Sequence, residues 1–302
     1  MINIIRYIKV FVFLFFLFFL FCMIPQIFAA TIIKHNLSAS QNDDSLNYEL
    51  AVLKLVLDKS KNKYGSYELV KSIKMSQSRA FQELDRKNAE VNVIASMSSI
   101  DREKSAKAIR ICLFKGLLGV RIPIVLKSDK DKLENVTTLK ELTALSAGQV
   151  FDWPDTTVLE SNKINVQTTT AYLNLFPMLV AKRFDIFPLG ALEVYPIAKD
   201  RENEFNITVI DKWAIAYPTG YYFFVNKKDK NLESRIKDGF KIALQDGSFQ
   251  SVFDKYNKKF LEISHLNTRK IFYLKNPILP KTTKFDDKNL WHPLIWEGFA
   301  KK

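Results

Sequence analysis

The chain has 302 residues and a formal net charge of +13, with 47% hydrophobic and 25% charged residues. Those values describe a globular protein of one large or two smaller domains and exclude a disordered or fibrous chain. The three histidines, His35, His265 and His292, lie far apart, and no metal-ligand spacing, nucleophile elbow or phosphate loop occurs. No metal and no cofactor is therefore expected, and catalysis is not the leading expectation.

The first thirty residues have the layout of a secretory signal. Arg6 and Lys9 precede an unbroken apolar run over residues 10–24, Pro25 breaks it, and Ala29-Ala30 offers a small-residue cleavage site. The run is shorter than the ~20 residues of a spanning helix, and the alternative is an uncleaved N-terminal anchor that leaves the same domain outside the membrane. Removing Arg6 and Lys9 leaves 43 basic against 32 acidic residues, a balance of +11. The lysines are scattered, so they read as a solvated surface rather than a nucleic-acid footprint. Cys112 is then the one remaining cysteine. It sits in Ile111-Cys112-Leu113-Phe114 and reads as a small buried hydrophobe.

In chain order, residues 31–34 form a β-branched strand, and 36–45 a polar loop. A helix with a wide buried face runs from Tyr48 to Lys59, and 67–73 alternates as a strand. Residues 76–86 read as a helix capped by Ser76 or Ser78, feeding the strand 91–95. A hydroxyl-rich turn follows, Ser96-Met97-Ser98-Ser99, then Ile100-Asp101-Arg102. The apolar run 122–126 is the next strand. Residues 139–145 form a short helix, 149–151 a strand, and Asp152-Trp153-Pro154-Asp155-Thr156 a turn with Asp155 as N-cap of another helix. Residues 168–182 read as helical and 183–187 as a strand. This helix-then-strand step repeats the earlier one, with Phe176-x-x-Leu179 standing where Phe81-x-x-Leu84 stood. Strands are expected at 206–210 and 221–225. Helices follow at 231–246, closed by Gly247, and at 249–260. The tail, 269–302, is too apolar to stay solvated and reads as an ordered wrap. Two α/β halves of similar plan are the expected architecture.

The order of these motifs resembles the bacterial extracellular solute-binding proteins of family 3, in a divergent branch of the type II periplasmic-binding superfamily. Ser99-Ile100-Asp101-Arg102 stands where that family has Thr-Pro-Glu-Arg. The run 122–129 followed by Thr138-Leu139-Lys140-Glu141-Leu142 resembles its crossing strand and the segment beyond it. Ala181-Lys182-Arg183-Phe184-Asp185, Tyr222-Phe223-Phe224-Val225-Asn226-Lys227 and Leu244-Gln245-Asp246-Gly247-Ser248-Phe249 resemble three further motifs. The match spans most of residues 31–260. It implies an α/β, two-lobed periplasmic-binding-protein-like type II fold with two hinge-crossing strands. The first lobe would comprise 31–123 with 220–302, and the second 124–219. The hinge would pair 122–126 with 221–225, and ligand would bind in the cleft between the lobes.

The resemblance also implies a site. Arg102 would clamp a ligand carboxylate with its planar fork, and Ser98 and Ser99 would add hydroxyls. On the second lobe the family's Gly-Ser-Thr anion turn is replaced by Trp153-Pro154-Asp155-Thr156. There Thr156 can donate, Trp153 can cover an apolar or cationic part, and Asp155 would repel a carboxylate unless spent on its helix. The family's ammonium-holding acid falls near Leu189-Gly190, and Glu193 is the nearby substitute. The implied function is capture of a small polar or anionic, amino-acid-like ligand for an inner-membrane ABC transporter or a sensor. The implied protein is a periplasmic monomer that binds no nucleic acid. The alternatives are a periplasmic dehydratase-like enzyme on the same scaffold and an interaction module whose cleft binds no small molecule.

Overall fold

The structure, a computed structural model, describes residues 30–35, 44–73, 75–285 and 287–300. The expected export signal and most of the loop expected at 36–45 lie outside the described residues. No helix among the described residues is long and apolar enough to cross a membrane.

The chain opens with β1 (Thr31–His35), α1 (Asp44–Lys59), β2 (Tyr67–Lys71), α2 (Gln77–Glu83), β3 (Val93–Met97), α3 (Ile100–Ser105) and β4 (Lys107–Ile109). The long strand β5 (Val120–Leu126) leads to α4 (Leu139–Thr143), β6 (Ser146–Val150), α5 (Pro154–Ser161), β7 (Asn165–Thr169), α6 (Leu175–Val180), β8 (Phe187–Gly190), α7 (Val194–Phe205), β9 (Ile207–Val209) and β10 (Trp213–Ala216). The last part holds β11 (Tyr221–Val225), α8 (Lys230–Gln245), α9 (Ser248–Ile263) and β12 (Lys270–Tyr273).

Two five-stranded sheets organise these elements. The first has the order β2-β1-β3-β11-β4, with β1 parallel to β2 and β3 and β11 antiparallel to both neighbours. The second runs β12-β10-β5-β8, with β9 also on β5, and β6 and β7 form a parallel pair beside it. Parallel pairs need helical crossovers, which is why helices alternate with strands here. Tyr48, Val52, Leu53, Val56 and Leu57 recur at helical spacing on α1 and are all buried, and α1 packs against α8 and α9. On α8 the buried stripe is Leu232, Ile236, Phe240 and Ala243.

Local signals set several boundaries. Ser76 accepts from the Arg79 amide at 3.3 Å and starts α2. Thr138 and Glu141 form a reciprocal capping box on α4. Gly247 lies at φ +76° between α8 and α9, a left-handed position glycine adopts without a side-chain clash.

Several expectations are corrected. The stretch 168–182 is not one helix: Thr168 and Thr169 end β7, residues 172–174 make a 3-10 turn, and only Leu175–Val180 is α-helical. The strand expected at 183–187 lies at Phe187–Gly190, and that at 149–151 at Ser146–Val150. The strand 122–126 does not pair with 221–225. β5 pairs with β10 through Arg121↔Ile215 and Val120↔Ala216, whereas β11 lies between β3 and β4. The chain passes between the sheets just before β5, again between β10 and β11, and a third time between α9 and β12. Between the first two passages Tyr217 donates its amide to the Gly119 carbonyl at 3.0 Å. A Cβ at Gly119 would fall 2.2 Å from the Tyr217 carbonyl oxygen, so the two passing segments approach as closely as only glycine permits. The strand Lys270–Tyr273, expected with the first lobe, pairs in parallel with β10 in the second sheet.

Candidate ligand-binding cleft

The turn after β3 positions a guanidinium. Ser99 accepts from the Arg102 amide at 3.2 Å and caps α3. The buried Ser98 donates its hydroxyl to Glu103 Oε1 at 2.6 Å, and its amide donates to the Gly220 carbonyl at 2.7 Å. Both hydroxyls are thus engaged within the turn and hold it in shape. The Arg102 side chain turns inward instead of pairing with Asp101, which meets Lys104 on the surface. Its Nη1 donates to Ser96 Oγ at 2.7 Å and to the Met97 carbonyl at 3.0 Å, and its Nη2 to the Asp152 carbonyl at 3.0 Å. The guanidinium lies 5.0 Å from the Phe81 ring centre. Burial lowers the Arg102 pKa to about 10, although Asp152, Tyr221 and Asp155 pull the other way. Among the described residues no carboxylate closes an ion pair with Arg102.

Asp152 joins the two halves of this region. Besides accepting from Arg102, it accepts from the Ser78 amide through Oδ2 at 3.0 Å. Trp153 follows it, half-buried, with its ring 6.1 Å from that of Tyr172. Trp153, not Asp155, occupies the N-cap position of α5, and Pro154 is its first residue, where a missing amide hydrogen costs nothing. Thr156 donates its hydroxyl to the Val150 carbonyl at 3.0 Å.

Asp155 belongs to a second, buried cluster. Its Oδ1 lies 2.5 Å from Arg121 Nη2 and accepts from the Tyr217 hydroxyl. Arg121 Nε donates to the Tyr217 oxygen at 3.0 Å. Glu193 lies 3.9 Å from Arg121 and accepts from the Gly190 amide at 3.3 Å. Burial alone would lower the Arg121 pKa, but Asp155, Tyr217 and Glu193 overcome it and raise it. Nearby, the Tyr221 hydroxyl donates to the Ala95 carbonyl at 3.2 Å, and burial first, then Glu49, holds its pKa well above the usual value.

The structure therefore divides the expected site residues. Arg102 meets the turn that carries Trp153, while Asp155 and Glu193 gather on Arg121, and Ser98, Ser99 and Thr156 are engaged locally. Arg121 escaped sequence reading because it lies in an apolar strand, Val120-Arg121-Ile122-Pro123-Ile124. That position is itself a signal, since a charge in a buried strand must have a partner. Among the described residues no group of three or more His, Cys, Asp or Glu side chains could hold a metal.

The fold is similar to that of solved structures over nearly their whole length. A periplasmic arginine-binding protein from Salmonella typhimurium is 16% identical with a TM-score of 0.57, over 76% of this chain and 100% of that one. The fold is that of the two-lobed periplasmic binding proteins. An L-arginine-bound substrate-binding protein of an amino-acid ABC transporter from Streptococcus pneumoniae is 12% identical, with a TM-score of 0.55 over 76% of this chain and 94% of that one. An ancestral amino-acid-binding protein, described as a precursor of cyclohexadienyl dehydratase, is 12% identical, with a TM-score of 0.54 over 75% and 95%. No protein-family model and no curated protein matches the sequence. Arg102 follows β3 of the first sheet and Asp152 follows β6 of the pair beside the second, so their hydrogen bond joins the two halves of the structure.

Proposed function

We propose that the chain is an exported solute-binding protein that captures a small carboxylate-bearing, amino-acid-like solute between its lobes and delivers it to a transporter or sensor. The observation that carries this reading is Arg102: a half-buried guanidinium with three of its donors engaged by neutral acceptors and no carboxylate partner among the described residues. A carboxylate reaching it would meet the remaining donors and the full charge. The second lobe supports a different role. Asp155 is spent on Arg121, so the ligand's carboxylate is held by the first lobe, and Trp153 covers the rest of the molecule. Glu193 offers a negative edge for a ligand ammonium. In this reading the lobes divide near residues 119 and 218, with all of β5 and β12 assigned to the second lobe.

The dehydratase-like alternative has less support, because Asp155 is tied to Arg121 and Tyr217 rather than set opposite a second acid as a proton-transfer pair. The test is a thermal-shift and calorimetric screen of amino acids, dicarboxylates and short peptides against the native protein and Arg102→Ala. At least one carboxylate should raise the native melting temperature, and Arg102→Ala should bind it roughly 10- to 100-fold more weakly, the equivalent of about 1.5–3 kcal/mol for charged hydrogen bonds. Unchanged binding by Arg102→Ala would remove the reading.

A further inference from the structure

We propose that the C-terminal segment, residues 270–299, is a strap that adds a further connection between the lobes, beyond the passages before β5, between β10 and β11 and between α9 and β12, and restrains their opening. The solved structures above match 75–76% of this chain and 94–100% of their own. About a quarter of this chain thus has no counterpart in them, more than the undescribed N-terminal stretch accounts for.

The strap is anchored first on the second lobe. β12 pairs in register with β10 through Trp213↔Lys270 to Ala216↔Tyr273, and the Leu274 amide donates to the Ala216 carbonyl at 2.8 Å. Asn162 at the end of α5 then grips Lys275 from both sides. Its Nδ2 donates to the Lys275 carbonyl at 2.7 Å, and its Oδ1 accepts the Lys275 amide at 3.0 Å. Asn276 Nδ2 donates to the Pro218 carbonyl, at 2.8 Å, on the segment passing between the lobes.

The next anchors are on the first lobe. The Ile278 carbonyl accepts from the amide of Ile100, the first residue of the helix carrying Arg102, at 2.8 Å. Arg110 donates to Thr282 Oγ1 at 2.6 Å. The His292 amide donates to the Lys115 carbonyl at 3.0 Å, and Trp291 and Ile295, both buried, close over Gly116. The chain then returns: the Phe299 ring packs edge-on against Tyr273 of β12 at 5.3 Å.

Lys275, where Asn162 grips, and Ile278 are only three positions apart, a reach of roughly 10 Å fully extended. A hinge of passing segments rotates by torsion changes in a few residues. Here a further, short segment ties the start of the Arg102 helix to the second lobe. Wide opening would require breaking the Asn162 or Ile100 anchor.

The experiment measures inter-lobe distance by electron-spin resonance, without any ligand, so it is independent of whether a carboxylate binds. Labels are placed at Lys87→Cys and Lys132→Cys, both exposed, in a Cys22→Ser background, with the buried Cys112 left in place. One comparison is a Gly/Ser insertion after Pro277, which lengthens the strap while letting both ends dock. A second is the pair Asn162→Ala and Asn276→Ala, which cuts the anchors without removing the apolar tail. The native strap should give one narrow distance distribution, and both altered proteins a broader one shifted to longer distance. Native and insertion proteins with the same distribution, each folded by circular dichroism, would overturn the proposal.

Discussion

Arg121 Nη2 and Asp155 Oδ1 lie 2.5 Å apart, and their side chains are only 8% and 6% exposed. Tyr217 binds both, accepting from Arg121 and donating to Asp155, so β5, α5 and the segment after β10 converge on one buried ion pair. A buried charge that loses its partner keeps its full desolvation cost. Arg121→Met should therefore lower stability by about 3–5 kcal/mol in urea unfolding. The double variant Arg121→Met with Asp155→Leu should recover most of that loss, because well-packed apolar replacements of a buried pair are close to neutral. A double variant as unstable as the single one would show that the cluster's geometry, not its charge balance, supports the fold.

Gly119 and Tyr217 bring two passing segments into backbone contact. A methyl at Gly119 would fall 2.2 Å from the Tyr217 carbonyl oxygen and 2.9 Å from Thr219 Cγ2. Backbone cannot swing aside as a side chain does, so Gly119→Ala should destabilise by roughly 1–3 kcal/mol and perturb the passage between the lobes. Gly247→Ala is the contrast: a Cβ there meets nothing within 4 Å, and only the left-handed backbone opposes it, at about 1–2 kcal/mol. Melting temperatures should fall for both, but the near-ultraviolet circular dichroism, which reports on Tyr217 and Trp213, should change only for Gly119→Ala.

What could be read in the sequence follows from how local the deciding forces are. The strand Tyr221–Val225 and the helix Lys230–Gln245 were legible because an apolar run or stripe ends at Asn226, Asp246 and Gly247. β7 was not, because Asn165–Thr169 is polar and gains its strand conformation by pairing with β6. β8 was hidden by Pro188 and Gly190, two residues that weaken a strand, which sit opposite Pro123 and Arg121 of β5. The site was half legible. Arg102 was visible from its turn, but its engagement with Asp152 is a long-range contact. Asp155 read as a helix cap because its partner, Arg121, lies 34 positions earlier in another element.

Cys112 should be chemically silent in the folded protein. It is completely buried, and burial raises its thiol pKa to about 11, even though the amides of Tyr221, Gly116 and Phe114 favour the thiolate. Ellman's reagent at pH 8 should leave Cys112 unmodified under native conditions and modify it on addition of guanidinium chloride. Peptide mapping separates its signal from that of Cys22. Prompt native labelling of Cys112 would mean that the segment leading into β5 opens locally.

Glu233 gathers three lysines on the outer side of the first lobe. It accepts from Lys237 Nζ at 2.6 Å and Lys230 Nζ at 3.0 Å on its own helix, and Lys107 Nζ of β4 lies 3.6 Å away. Burial opposes ionisation, but the two hydrogen bonds and the lysine charges outweigh it and bring the pKa from 4.5 to about 2. A carboxylate whose folded pKa is depressed stabilises the fold fully above its unfolded pKa and loses that contribution as pH falls through the folded value. Native protein should thus melt above Glu233→Gln at pH 7, and the difference should shrink between about pH 4.5 and about pH 2. The lysines are partly exposed, so 1 M salt should also reduce the difference at neutral pH. A gap unchanged by both acid and salt would assign the role of Glu233 to packing between β4 and α8 rather than to its charge.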